Sequence, residues 1–100
     1  MLLLQSIQNP DYWLFWCPGC DTEHIFNKSW TWNHDLYRPT ITPSILNRKT
    51  TNNTKSDQVC HIIITDGQIY YLADCTHKFV GKVVPMENIS EHINLETYSF

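Results

Sequence analysis

The chain lacks any run approaching the roughly 18–20 apolar residues that a membrane-spanning helix needs. Its start, Met1-Leu2-Leu3-Leu4, is too short for a secretory signal and carries no basic segment ahead of the apolar residues. A basic excess is missing too. Seven Lys and Arg stand against 10 Asp and Glu, for a net charge of −3, which argues against broad charge-driven binding to nucleic acid. Only Arg48, Lys49 and Lys55 gather into a local basic segment. Internal repeats and linkers are absent, and helix signals are scarce. These absences lead to the expectation of one soluble, cytoplasmic domain over residues 1–100. The Asn-x-Ser/Thr sites at Asn52 and Asn88 carry no weight without secretion.

Cysteine is where the chain is rich in information. Cys17-Pro18-Gly19-Cys20 places two thiols three positions apart on a tight turn, and Cys60-His61 and Cys75-Thr76-His77 follow downstream. In a reducing compartment such thiols read as metal ligands before they read as disulfides. Two sulfurs on one short loop aim at a common point, and a tetrahedral zinc site then needs two more soft donors. The expected ligands are Cys17, Cys20, Cys60 and Cys75, with His77, His61 and His24 as alternates. A domain of 100 residues buries only about two-thirds of its unfolded surface, so a metal staple would help it.

Strand signals dominate the rest. Leu2–Ile7, Tyr12–Cys17, His24–Asn27, Ser29–Asn33 and Ile41–Asn47 read as strands, with Pro43 marking an edge or a bulge. Residues 47–58 are polar and read as an exposed loop. Ile62-Ile63-Ile64-Thr65 and Gln68-Ile69-Tyr70-Tyr71-Leu72 flank Asp66-Gly67, the strongest short hairpin signal there is. With a two-residue turn Thr65 pairs Gln68 and Cys60 pairs Ala73. If that strand continues, Cys75 shares a face with Cys60 while His61 points to the other face. Thr76–Val80 reads as one turn and Glu87–Ile93 as a short helix. The expected fold is mainly β with little helix, a zinc-ribbon-like domain with its hairpin at 59–72.

Three further sets carry chemistry. Asp74, His77 and His61 form the one acid–base group in the sequence, the candidate catalytic set. Thr40, Thr42 and Ser44 alternate with aliphatic residues; they read either as the outward side of a strand or, with Arg38 or Arg48, as a hydroxyl row that binds an anionic ligand. Trp13, Trp16, Trp30 and Trp32 read as core and knuckle packing rather than as a base-stacking platform.

The combination Cys17–Cys20 with His24, Trp30–Asn33, Arg38–Ser44, Cys60-His61, Asp66-Gly67 and Asp74–His77 resembles a family of small bacteriophage and prophage proteins, some of them labelled ammonia monooxygenase. The resemblance spans roughly residues 13 to 85. It implies a phage origin and zinc binding. One departure is visible: where that family has an Asn-Gly turn after the tryptophan segment, this chain has Asn33-His34-Asp35.

Zinc held by four thiolates has no open position, whereas zinc catalysis needs one. The leading expectation is therefore a zinc-stabilised accessory protein that binds a protein partner in the bacterial host, in the manner of a phage counter-defence inhibitor, rather than an enzyme. The alternative is a zinc-dependent hydrolase or nucleotide-binding protein using His61, Asp74 and His77. A nucleic-acid-binding zinc ribbon is the weakest of the three, and the oligomeric state stays open.

Overall fold

The computed structural model of the chain describes residues 1–50 and 57–94. Its strands are β1 (Leu4–Gln5), β2 (Tyr12–Cys17), β3 (Thr22–Asn27), β4 (Thr31–Trp32), β5 (Ile41–Thr50), β6 (Asp57–Thr65), β7 (Gln68–Tyr71) and β8 (Val83–Pro85), with one 3-10 turn at Ile89–Glu91. Strands β1-β2-β3 form one antiparallel sheet, and β4-β5-β6-β7-β8 form a second. The mainly β expectation holds, and no helix among the described residues is long and apolar enough to cross a membrane.

Strands β6 and β7 follow the two-residue alternation that puts one face inward. In β6, Cys60, Ile62 and Ile64 are buried while His61 and Ile63 face outward; in β7, Ile69 and Tyr71 are buried while Gln68 and Tyr70 are exposed. Leu3, Phe15, Phe26, Ile41, Ile45 and Tyr71 complete the core together with Cys17, Cys60 and Cys75. The tryptophans serve packing, as expected: Trp13 stacks on Phe26 with centroids 5.6 Å apart and meets Trp32 edge-on at the same distance. Trp16 lies flat on His92 at 4.1 Å.

The Asp66-Gly67 hairpin is β6–β7, with Thr65 paired to Gln68. Both turn residues have positive φ, 51° and 74°, the geometry of a turn matched to strand twist. His34 likewise sits at φ 61°, so the histidine standing where the phage-like family has glycine adopts the left-handed conformation glycine would favour. Pro43 does mark an irregularity: the β5–β6 register shifts between Ile41 and Ile45, and the Thr42–Pro43 peptide is cis. The polar stretch 47–58 divides. Residues 47–50 and 57–58 belong to the paired strands β5 and β6, and 51–56 lie outside the described residues.

Past Tyr71 the ladder expected to pair Cys60 with Ala73 gives way. Leu72 N–H still donates to the His61 carbonyl at 2.9 Å, but the chain then turns, and Thr76 N–H donates to Val59 O at 3.0 Å. Residues 72–76 thus lie along β6 as a clamp, not as a strand. That clamp brings Asp74 to the outer face and Cys75 to the inner one.

Candidate active site and metal centre

Two sites lie back to back on β6. On the outer face, Leu46 of β5 pairs with His61 of β6, so Ser44, two residues earlier on the same side, is a diagonal neighbour of the imidazole. The bulge at Pro43 adjusts its approach. Ser44 Oγ lies 2.8 Å from His61 Nε2. His61 Nδ1 lies 3.0 and 3.2 Å from the two Asp74 carboxylate oxygens. A carboxylate only accepts, so Nδ1 carries the proton, and Nε2 is left as the acceptor for the serine hydroxyl. Trp30 Nε1 donates to the Ser44 carbonyl at 3.4 Å, tying the residue ahead of β4 to the Ser44 main chain. The Asp74 side chain is 56% exposed and that of His61 27%, so the group opens to solvent where a substrate can reach it. A hydroxyl hydrogen-bonded to an imidazole that a carboxylate orients is an activated nucleophile.

The candidate catalytic set is therefore divided by the fold. His61 and Asp74 meet, and Ser44 joins them. His77 lies on the inner side, against Gly19 and edge-on to Tyr71 at 4.7 Å. The hydroxyl row does not converge on one ligand. Ser44 serves His61, Thr40 Oγ1 accepts from Asp66 N–H at 2.9 Å, and Thr42 Oγ1 donates to Thr31 O at 3.5 Å. Arg38 pairs with Asp66 at 2.7 Å.

On the inner face, the β2–β3 turn brings Cys17 and Cys20 to His24 of β3 and Cys60 of β6, with ligand atoms all within 4.8 Å of one another. Cys60, Cys75 and His77 form a second, overlapping group. Of the four cysteines expected as ligands, three share the first group with His24, while Cys75 joins it only through Cys60. Cys17 and Cys60 sulfurs are 3.8 Å apart, the spacing of two thiolates at about 2.3 Å from a tetrahedral zinc. His24 is buried at 8% exposure, and its Nε2 has no hydrogen-bond partner. A buried ring nitrogen left bare beside three thiols fits a metal donor. All four cysteines are free thiols.

The electrostatics point the same way. Hydrogen bonds from Cys20 and then Cys60 hold the Cys17 thiol far below the ordinary range, against the upward pull of burial. Its partner Cys20 is pushed up to about 12, chiefly by its bond to Cys17. Cys60 is pushed up as well, by Cys17 first and Cys20 second. The three sulfurs oppose one another's ionisation; a divalent cation would let all three ionise. Burial holds His77 below the usual imidazole range, which favours the neutral form. Phe79 N–H donates to its Nδ1 at 3.2 Å, leaving Nε2 bare and buried.

Tyr71, which the sequence shows only as part of the hairpin run, anchors the knuckle. Its hydroxyl lies 3.3 Å from Cys17 Sγ and accepts from Gly19 N–H at 3.0 Å. Burial, then Cys17, raises its pKa, so it stays a donor to the sulfur.

The model of the family described as bacterial ubiquitination-like system serine protease (BubE) matches residues 1–72. The matched span contains Cys17, Cys20, His24, Ser44, Cys60 and His61 and ends at Leu72. No curated protein and no solved structure matches the chain.

Proposed function

The chain belongs to the BubE family, and from that premise we propose that it is a serine peptidase with Ser44 as nucleophile, His61 as general base and Asp74 as the group that orients the base. The observation that carries this reading is the continuous hydrogen-bonded line Ser44–His61–Asp74. Its chemistry follows from the donors and acceptors. Ser44 Oγ attacks the scissile carbonyl, and its proton passes to His61 Nε2. The imidazolium is held against Asp74, which stays ionised. His61 then protonates the leaving amine, and the amide C–N bond breaks. A water activated by the same nitrogen hydrolyses the acyl-serine and frees Ser44.

Within a ubiquitination-like system the fitting substrate is a peptide or isopeptide bond at the C-terminus of a ubiquitin-like modifier. The catalytic set needs no metal, so the thiol centre is free to be structural. Zinc fits it: three sulfurs and one imidazole, Cys17, Cys20, Cys60 and His24, make a closed tetrahedral set with no position left for substrate. What the metal would supply there is the tie between the knuckle and β6. This reading differs from the zinc-dependent hydrolase expected as the alternative: a serine stands in place of zinc, and Ser44 in place of His77.

The test is cleavage of the system's own modifier carrying a C-terminal extension. Wild-type protein is expected to release the extension, and Ser44→Ala to leave it intact while folding normally. Equal cleavage by both proteins would sink the assignment of Ser44. Failure of both to cleave the modifier would sink the substrate assignment.

A further inference from the structure

The two faces of β6 are joined by two dipeptides. Cys60 faces the thiol centre and His61, the next residue, faces the triad; Asp74 faces the triad and Cys75, the next residue, faces the thiols. Cys75 is 7% exposed. Its Sγ accepts from the His61 N–H at 3.3 Å and donates to the His61 carbonyl at 3.2 Å. One sulfur thus grips both main-chain groups of the base. The carboxylate it travels with binds the same residue's ring. The clamp is also tied by Leu72 N–H to His61 O and by three bonds between Thr76 and Val59, with Val59 N–H donating to Thr76 Oγ1 at 2.9 Å.

We propose that Cys75 is a positioning residue for the peptidase, fixing the His61 main chain from behind and holding Asp74 in register with the imidazole, and that the thiol centre sets where Cys75 sits. Resting on the serine-peptidase reading, it goes further by giving the metal side of the molecule a role in the triad. A hydroxyl–imidazole–carboxylate line tolerates little displacement, since misplacement by about 1 Å costs on the order of a hundredfold in rate. The Asp74 side chain is more than half exposed, so its position depends on its own backbone rather than on packing. That backbone is the clamp, and the Cys75 sulfur is its inward anchor. The Cys17, Cys20, His24 and Cys60 donor set is complete without Cys75, which leaves the thiol free for this task.

The experiment uses the full-length protein loaded with zinc and three readouts: zinc content by elemental analysis, the proton resonance of His61 Nδ1–H, and the rate at which a fluorophosphonate labels Ser44. Cys75→Ala is expected to keep its zinc and its far-UV circular dichroism, lose or shift the His61 resonance, and label about tenfold more slowly. Cys75→Ser, which can still bond the His61 main chain, is expected to recover part of the rate. Stripping zinc from the wild type with a chelator should reproduce the loss; where that unfolds the chain, the Cys75 variants decide alone. A wild-type rate and an unchanged resonance in Cys75→Ala would overturn the proposal. So would loss of zinc from that variant, which would make Cys75 a ligand. If wild-type Ser44 itself takes no label, the peptidase reading fails, while the His61 resonance still reports on the coupling.

Discussion

In the proposed peptidase Ser44, His61 and Asp74 have separate roles, so that each substitution has its own signature. Ser44→Ala removes the nucleophile but no buried contact of consequence, so hydrolysis should fall to background while thermal stability shifts by less than about 1 kcal/mol. Asp74→Asn keeps the shape and presents the wrong partner to Nδ1. The imidazole then loses its orientation, and kcat should drop by about 10⁴-fold, measured on the same modifier substrate. A separate residue-level test concerns acid. Asp35 Oδ1 accepts from Tyr37 N–H at 2.9 Å and Arg38 N–H at 3.1 Å, and these bonds, Tyr37's first, hold its pKa below the ordinary carboxylate value. A depressed folded-state pKa stabilises above the unfolded value of about 3.9 and loses that contribution as pH falls through the folded one. Asp35→Asn keeps an acceptor but cannot ionise. The stability gap between wild type and this variant should therefore close as denaturation is repeated from about pH 6 down to pH 2.

Among the elements, the β6–β7 hairpin was legible because Asp-Gly between β-branched runs allows one turn and fixes one register. That register also placed Cys60 and His61 on opposite faces. Ser44 was legible as an outward hydroxyl but not as the partner of His61, because β5 and β6 are joined through a long polar stretch and their register turns on the bulge at Pro43. Pro43 signals an irregularity there, but neither the spacing of the residues nor their types reveals how far the register shifts. Asp74 and His61 were legible together as an acid–base set, but the turn that brings them into contact was not. Alternation carried the strand past Tyr71, whereas the chain turns at 73–74. His24 was named as an alternate ligand and stands in the thiol group because β2 and β3 pair Phe15 with it across a tight turn. Gly19 shows how tightly the knuckle is drawn: a Cβ there would come within 2.5 Å of the His77 ring. Gly19→Ala should lower the unfolding free energy by about 1–3 kcal/mol, read from denaturant melts of the zinc-loaded protein. Tyr71→Phe removes the bonds to Cys17 and Gly19 and should cost about 1 kcal/mol in the same assay.

At the scale of the whole molecule, two small sheets enclose a core in which three of the four cysteines are buried. The thiol centre ties the β2–β3 turn of one sheet to β6 of the other, and on the far side of that same strand stands the base of the triad. Chelation should therefore lower the melting temperature, and zinc should restore it. The same architecture makes the account depend on one atom, Ser44 Oγ. The most direct test is to treat the protein with a fluorophosphonate and map the adduct by mass spectrometry, with His61→Ala in parallel. A single adduct on Ser44 in the wild type, and none in His61→Ala, is the predicted result. An unmodified wild-type protein, or an adduct on another residue, would contradict it.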